Sequence, residues 1–245
     1  MDAQEAQKII DKYTVKDNTI NLPNSIKTDK DLEAVLSALK ITSPQLFQML
    51  NSTITLLDKM KRVGQLYDYS KAKYRLELGA LSEKENNVLA EFLKNNLPKS
   101  AETYGSAVMR MVMAEKIRKP QDVDIQLHNK NGKQAEELAQ QACEALNKLS
   151  LFNKRFFVDY HDPRICLLPA QRKSVVRIKN VNTPVLDIHI EGEEGSIPDM
   201  VFGYKRLPPQ LIEGMKCQSV MQEQIDKMAS SMTQGLNHYR NAGQR

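Results

Sequence analysis

Two aspartates separated by a single residue are the first feature of this sequence that suggests chemistry. Asp122 and Asp124 alternate with apolar residues in the segment DVDIQL, a pattern typical of a half-buried β-strand. Because residues i and i+2 of a strand point to the same face, the two carboxylates are expected to lie side by side. Two such charges repel each other unless a cation lies between them, and Mg²⁺ suits a carboxylate pair that it shares with substrate phosphates. The alternative is a solvent-facing strand edge without a metal.

A third aspartate follows the same logic on a later strand. Asp187 lies in the segment VLDIHI, with Leu186 and Ile188 on the opposite face of the predicted strand. If the two strands are neighbours, the third carboxylate joins the site. Three acids around a pair of Mg²⁺ ions would support an in-line displacement at phosphorus. His189 shares the face of Asp187, and we interpret it as a neighbour of the site or a hydrogen-bonded polar residue rather than as a metal ligand.

A glycine–serine pair lies upstream of the aspartates. Gly105 and Ser106 stand between a predicted extended segment and a predicted helix start. Backbone N–H groups at a helix N-terminus bind phosphate, and glycine lets a phosphate approach the backbone closely. The serine hydroxyl adds one more donor. Taken alone, Gly-Ser is also simply a common turn.

The three features together resemble the nucleotidyltransferase superfamily, which shares its fold with DNA polymerase β. The resemblance rests on residues 104–108 (YGSAV), 119–125 (KPQDVDI) and 185–190 (VLDIHI). It implies that Asp122, Asp124 and Asp187 bind the catalytic metal ions. It also implies that Gly105 and Ser106 cradle the β- and γ-phosphates of a nucleoside triphosphate.

A lysine near the end of the sequence extends the resemblance. Nucleotidyltransferases of bacterial toxin and abortive-infection systems often place a lysine-bearing helix after the core, and residues 222–229 (QEQIDKMA) look similar. By this resemblance Lys227 would reach a nucleotide phosphate; the alternative is a surface lysine. Those transferases usually continue into a C-terminal helical domain, whereas this sequence carries its predicted helices ahead of the core.

Basic residues flank both motifs. Residues 163–186 contain five basic residues and no acid, and they precede the strand of Asp187. A second group near the first motif consists of Arg110, Lys116, Arg118 and Lys119. Such groups can hold a triphosphate or an RNA backbone, or they can belong to a solvated loop and helix face. The net charge of +5 is mild, without the dense basic block of a general nucleic-acid coat.

The elements that must position these residues are predicted to form three consecutive regions. Residues 1–98 are predicted to be mainly helical, residues 99–205 to form an α/β core, and residues 206–245 to form a C-terminal helical segment packed on the core. The predicted class is therefore α+β: an N-terminal helical region followed by a small mixed-sheet nucleotidyltransferase core with flanking helices.

Local signals place the ends of these elements. In the helical region, Ser43 before Pro44 is an N-cap signal, and Ser82 with Glu85 forms a capping box. The strand candidates in the core are 122–127, 156–160, 174–181 and 185–190, and Ser219 opens the final helix. The apolar stripes of residues 1–98 favour a bundle that supports the core over a recognition module for a protein partner.

The composition excludes several other classes of protein. A chain of 245 residues with 41% hydrophobic and 27% charged residues is typical of a globular protein, and no apolar run approaches the ~20 residues of a membrane span. Acids stand at the N-terminus where a signal peptide would be basic. Cys143, Cys166 and Cys217 lack a Cys-x-x-Cys pattern, which argues against a disulfide scaffold or a zinc ribbon. We expect a cytoplasmic protein.

The sequence therefore predicts an enzyme that uses Mg²⁺ or Mn²⁺ to move a nucleoside monophosphate from a nucleoside triphosphate to a hydroxyl group. The acceptor is left open among RNA, protein and a small molecule. The alternative is a non-catalytic protein of the same fold that binds a nucleotide, an RNA or a protein partner, the last through the N-terminal helices.

Overall fold

The α+β class predicted from the sequence is confirmed by a computed structural model of the protein. The structure describes residues 1–15, 19–20, 26–63, 67–128, 132–149, 156–161, 164–169, 184–191, 197 and 199–243. Within these residues, helices dominate the first part of the chain, and a mixed sheet follows. No helix in the described part of the chain has the length and apolarity that a bilayer crossing requires.

The helices begin largely where the capping signals predict. The described α-helices are α1 (Ala3–Lys12), α2 (Asp29–Thr42), α3 (Pro44–Val63), α4 (Glu83–Asn96), α5 (Ser106–Met113), α6 (Gly132–Asn147) and α7 (Val220–Gly243), and a 3₁₀ turn follows α5 at Ala114–Lys116. The Ser82–Glu85 capping box is present with both hydrogen bonds, and Ser219 accepts a hydrogen bond from the N–H of Gln222. These two predictions of helix starts are confirmed.

The strands form one larger sheet and two short hairpins among the described residues. The strands are β1 (Thr14–Val15), β2 (Thr19–Ile20), β3 (Glu102–Tyr104), β4 (Val123–Leu127), β5 (Phe156–His161), β6 (Arg164–Pro169), β7 (Leu186–Ile190), β8 (Met200–Val201), β9 (Tyr204–Lys205), β10 (Gln210–Ile212) and β11 (Met215–Cys217). The larger sheet has the order β10-β11-β3-β4-β7-β6-β5, and β1–β2 and β8–β9 are the hairpins. The predicted strand at 174–181 lies outside the described residues. Strands β1, β2, β6 and β8–β11 were not predicted, and β10 and β11 lie in the segment 206–245, which was predicted to be helical.

Two strand pairs at the centre of the sheet determine which of the predicted site residues are neighbours. Strand β3 pairs with β4 antiparallel, and β4 pairs with β7 parallel. Since β4 and β7 are adjacent, the condition for bringing Asp124 and Asp187 together is met.

By their internal contacts, the described residues form two compact units. We call residues 1–66, 198–207 and 224–245 the helical unit, and residues 67–197 and 208–223 the sheet unit. Each unit combines distant parts of the chain, whereas the sequence suggested three consecutive regions with boundaries at 98 and 205. Helix α4 belongs to the sheet unit because Leu89 and Leu93, both fully buried, join its hydrophobic core.

The sheet unit buries the apolar side of β4 and β7. Val123, Ile125, Leu127 and Ile188 are fully buried in a core that also contains apolar residues of α4 and α6. The segment 71–78, which precedes α4, buries every second residue without forming a strand; its buried members are Ala72, Tyr74, Leu76 and Leu78. Helices α4 and α6 therefore contribute to the core on the apolar side of β4 and β7, and polar residues are left for the other side.

In the helical unit, α2 packs against both α1 and α3, and the segment 198–207 belongs to the same unit. Phe202 of this segment is fully buried, and the N–H of Gly203 donates a hydrogen bond to the carbonyl of Ile26 over 3.1 Å. Tyr13 donates a 2.6 Å hydrogen bond to Asp31 at the start of α2. Burial, with this carboxylate beside the phenol, raises the pKa of Tyr13 to about 12. The tyrosine therefore stays protonated and holds α1 against α2.

Candidate metal centre

Polar side chains of β4 and β7 lie next to one another on one face of the sheet. Asp124 is directly opposite Asp187 in the parallel register, and Gln126 is opposite His189. Residues paired in register share one face of the sheet, so these four side chains lie on the side opposite Ile125 and Ile188. The alternation seen in the sequence therefore becomes one polar patch.

Three residues of this patch place ligand atoms close enough to hold a metal ion. Asp124, Asp187 and His189 each offer one ligand atom, and these atoms lie within 4.8 Å of one another. Nε2 of His189 lies 3.9 Å from Oδ1 of Asp124. Metal–ligand bonds of about 2.0–2.3 Å keep two ligands of one ion no more than about 4–4.6 Å apart, so this pair fits around a single ion.

Most of the group is removed from solvent. Asp187 and His189 are 1% and 4% exposed, while the Asp124 side chain is 23% exposed. Among the described residues, neither Nδ1 of His189 nor Nε2 of Gln126 has a hydrogen-bond partner. A buried polar atom without a partner costs about 1–3 kcal/mol, and a ligand bound to that atom would remove this cost.

The Gly105 turn lies directly against this group. Gly105 has φ +82°, and a Cβ built on it would lie 2.4 Å from Oδ2 of Asp124. Glycine is therefore required twice, for the left-handed backbone and for the contact with the carboxylate. Gly105 is also the N-cap of α5, whose first residue is Ser106. The first N–H groups of a helix have no partner within that helix.

A carboxylate that the sequence analysis did not single out reaches the same turn. The N–H of Gly105 donates a hydrogen bond to the side chain of Glu223, 118 residues further along the chain. Glu223 lies in the first turn of α7 and is 3% exposed. The amide predicted to meet a phosphate thus meets an acidic side chain. Glu223 stands three residues inside a helix start, but nothing in that local pattern indicates its distant partner.

Two other predicted site residues, Asp122 and Lys227, do not belong to the group of three ligand residues. Asp122 lies one residue before β4 and is not a member of the three-residue ligand group. Lys227 is exposed, and it lines an open groove with Met49, Thr53 and residues 228, 231 and 232, all within the helical unit. The assignment of Lys227 to a nucleotide phosphate stays a prediction.

One basic residue near the first motif has a structural role. Arg110 donates hydrogen bonds to Glu77 and to the carbonyls of Ala114 and Ile117. Its hydrogen bonds therefore stabilise the end of α5, and we do not assign it to ligand binding. Lys116, Arg118 and Lys119 are exposed. Of the five basic residues in 163–186, Arg172, Lys173, Arg177 and Lys179 lie outside the described residues.

The thiol of Cys217 is not a candidate nucleophile. It is fully buried at the end of β11. Burial, followed by the negative charges of Glu102 and Glu223, raises the pKa of this thiol far above its ordinary value. A thiolate is the reactive form of cysteine, so this side chain stays inert.

Comparison with known proteins finds no matching family model, no matching curated protein sequence and no matching solved structure.

Proposed function

We propose that this protein is a metal-dependent nucleotidyltransferase. It would move a nucleoside monophosphate from a nucleoside triphosphate to a hydroxyl group of an RNA, a protein or a small molecule. The observation that carries the proposal is the in-register pair of Asp124 and Asp187 with the Gly105 backbone against the Asp124 carboxylate. A carboxylate pair suited to a divalent cation therefore adjoins a turn suited to phosphate.

The donor set fits a divalent ion. Asp124 and Asp187 would hold Mg²⁺ or Mn²⁺, and Asp122, directly before β4, is the candidate ligand for a second ion. Such an ion neutralises charge on the phosphate oxygens of the nucleotide.

The chain's own groups would bind the nucleotide and move the proton. Ser106 and the first N–H groups of α5 donate to the β- and γ-phosphates. The acceptor oxygen forms a bond to the α-phosphorus, the bond from this phosphorus to the bridging oxygen breaks, and pyrophosphate leaves with that oxygen. We assign the hydroxyl proton to Asp187, which is 1% exposed and lies beside Asp124.

One observation favours a second candidate, a non-catalytic protein of this fold. The N–H of Gly105 is bound to the Glu223 carboxylate, which stands where the proposal places a phosphate. Such a protein would bind a nucleotide, an RNA or a protein partner without transferring a nucleotide.

Radiolabelled transfer assays separate the two candidates. The protein is incubated with each α-labelled nucleoside triphosphate, with Mg²⁺ or Mn²⁺, and with total RNA or alone. Transfer to RNA, to the protein itself or to a small acceptor supports the enzyme. Replacement Asp124→Asn or Asp187→Asn should lower transfer by at least about 100-fold, since each ~1.4 kcal/mol of lost transition-state stabilisation is a factor of ten.

The matched control is Asp199→Asn, which changes an exposed aspartate in the helical unit. It should transfer at the wild-type rate, and circular dichroism should report native folding for all three variants. Transfer that survives in both site variants contradicts the carboxylate–metal mechanism, and no transfer by the wild type to any acceptor favours the non-catalytic candidate.

A further inference from the structure

We propose that His189 is a direct metal ligand and that the site consequently binds Mn²⁺ more tightly than Mg²⁺. The inference deepens the proposed function, on which it rests for the presence of a divalent ion between Asp124 and Asp187. It reverses the interpretation of His189 from the sequence as a neighbour of the site, and it names the class of metal: a divalent transition ion that accepts nitrogen.

The first step of the argument is the position of the imidazole. His189 follows Asp187 by two residues on β7, so both side chains lie on the same face, and the register sets Asp124 opposite Asp187. Its Nε2 is 3.9 Å from Oδ1 of Asp124, and the three ligand atoms lie within 4.8 Å of one another. This separation is too long for a hydrogen bond and is suitable for two ligands of one ion.

The second step is the burial of the ring. His189 is 4% exposed, and the ring of Tyr104 lies 5.8 Å from it, centroid to centroid. Among the described residues, its Nδ1 has no hydrogen-bond partner. An imidazole with a purely structural role would normally satisfy both ring nitrogens or leave one in water. The nitrogen that faces the Asp124 carboxylate is Nε2, at 3.9 Å, so the hydrogen bonds of the described residues do not account for the position of this buried ring.

The third step is the chemistry of the ions. Mg²⁺ prefers oxygen ligands and keeps several of its waters, so an imidazole adds little to its binding. Transition ions gain affinity from nitrogen, and the affinity of such sites rises along the series from Mn²⁺ to Cu²⁺. Two carboxylates and one imidazole therefore form a donor set for a transition ion. Mn²⁺ is the useful probe because it also suits carboxylate ligands and phosphates.

Metal binding without nucleotide tests the inference independently of transfer. Titration calorimetry should give a Mn²⁺ affinity higher than the Mg²⁺ affinity by on the order of tenfold or more. Pulsed EPR of the Mn²⁺-loaded full-length protein should show hyperfine coupling to a coordinated imidazole nitrogen. In His189→Gln the coupling should vanish, and the Mn²⁺ affinity should fall by at least about tenfold.

A second variant keeps the test decisive if His189→Gln folds poorly. Replacement His189→Asp creates three carboxylates, which should bring the Mg²⁺ and Mn²⁺ affinities closer together. The matched control is His128→Gln, which changes a partly exposed histidine that lies 3.3 Å from Glu102; it should leave both affinities and the nitrogen coupling intact.

The outcomes distinguish this inference from the proposed function. Nitrogen coupling and a Mn²⁺ preference without any nucleotide transfer would support the inference and contradict the enzyme. Mn²⁺ bound without nitrogen coupling, equal Mg²⁺ and Mn²⁺ affinities, or no metal binding at all would each overturn the inference, whatever the transfer assay shows.

Discussion

At the scale of single residues, Gly105 links the backbone conformation to the candidate metal centre. Its φ of +82° disfavours any residue with a side chain, and the space that a Cβ would need is occupied by the Asp124 carboxylate. A second glycine provides a close comparison, because Gly214 has the same φ of +82° and a Cβ added there would meet nothing within 4 Å. The two positions share a positive φ, and they differ in what a methyl group would meet.

We therefore predict that Gly105→Ala is more harmful than Gly214→Ala. Both variants should lose about 1–3 kcal/mol of folding free energy, because alanine disfavours a positive φ. Gly105→Ala should lose more, since Asp124 must shift, and it should also weaken Mn²⁺ binding. Urea denaturation and metal titration measure the two effects. Equal destabilisation with unchanged metal affinity would show that the Gly105–Asp124 contact has no consequence.

Glu223 is a second residue whose contact within the folded chain affects the candidate binding site. Its carboxylate accepts a hydrogen bond from the Gly105 N–H, and a nucleotide phosphate at this turn would meet its negative charge. Replacement Glu223→Gln keeps an acceptor for Gly105 and removes the charge. We predict that the affinity for a nucleoside triphosphate rises on the order of tenfold.

Fluorescent-nucleotide binding measures this change. The matched control is Glu85→Gln, another buried carboxylate in the first turn of a helix, where Glu85 closes the α4 capping box. The control should lose some stability and keep the wild-type nucleotide affinity. A weaker affinity in Glu223→Gln would mean that Glu223 supports nucleotide binding rather than opposing it.

At the scale of elements, the end of α5 depends on one ion pair. Arg110 binds Glu77 over 2.7 Å and also two carbonyls at the end of α5 and the following 3₁₀ turn. The hydrogen bond from Arg110, which outweighs the opposing effect of burial, lowers the pKa of Glu77. The folded state therefore favours the ionised carboxylate, and the pair joins α5 to the segment before α4.

This lowered pKa predicts an acid-dependent stability. The contribution of Glu77 is complete above its unfolded-state pKa of about 4.3 and is lost as the pH falls through the lower folded-state value. Replacement Glu77→Gln should cost about 1–3 kcal/mol at pH 7, because it leaves Arg110 without its carboxylate, and much less in acid. Urea midpoints across the acid range measure the difference.

The control for this prediction is Asp58→Asn, which removes the exposed pair of Asp58 and Arg62 on α3. Exposed pairs contribute little, so its cost should stay below about 1 kcal/mol at pH 7. A Glu77→Gln variant that loses stability equally at every pH would show that packing, and not ionisation, is the source of the effect.

At the scale of the whole molecule, each compact unit is assembled from distant parts of the chain. The helical unit needs residues 198–207 and 224–245 in addition to residues 1–66. Within it, Phe202 is fully buried, and Arg206 forms two hydrogen bonds with Asp226 of α7. Helix α4, although close in sequence, contributes its apolar face to the sheet unit.

We predict that a fragment of residues 1–98 does not fold cooperatively on its own. It lacks Phe202 and the buried residues Ile225, Ala229 and Met232 of α7, and its α4 exposes Leu89 and Leu93. Circular dichroism should show helicity below that of the same residues in the full chain and a broad thermal transition. The control is the full-length chain under the same conditions, which should unfold sharply; a sharp transition in the fragment would contradict the division into units.

The sequence alone was sufficient for features that depend on neighbouring residues. Capping boxes act over three residues, and the alternation in strands acts over two, so Ser82, Asp124 and Asp187 could be placed on the correct ends and faces. His189 on the face of Asp187 was equally visible. What could not be read locally was whether the two strands are adjacent, in parallel and in register.

Long-range packing determined the remaining parts of the candidate site. Strand order brings Asp124 opposite Asp187, burial removes His189 from water, and the start of α7 delivers Glu223 to Gly105 across 118 residues. Periodicity specifies which side of an element is apolar, but many arrangements of the same elements bury that side equally well. The choice among them depends on the sum of many weak contacts between distant segments, and no short pattern in the chain records that sum.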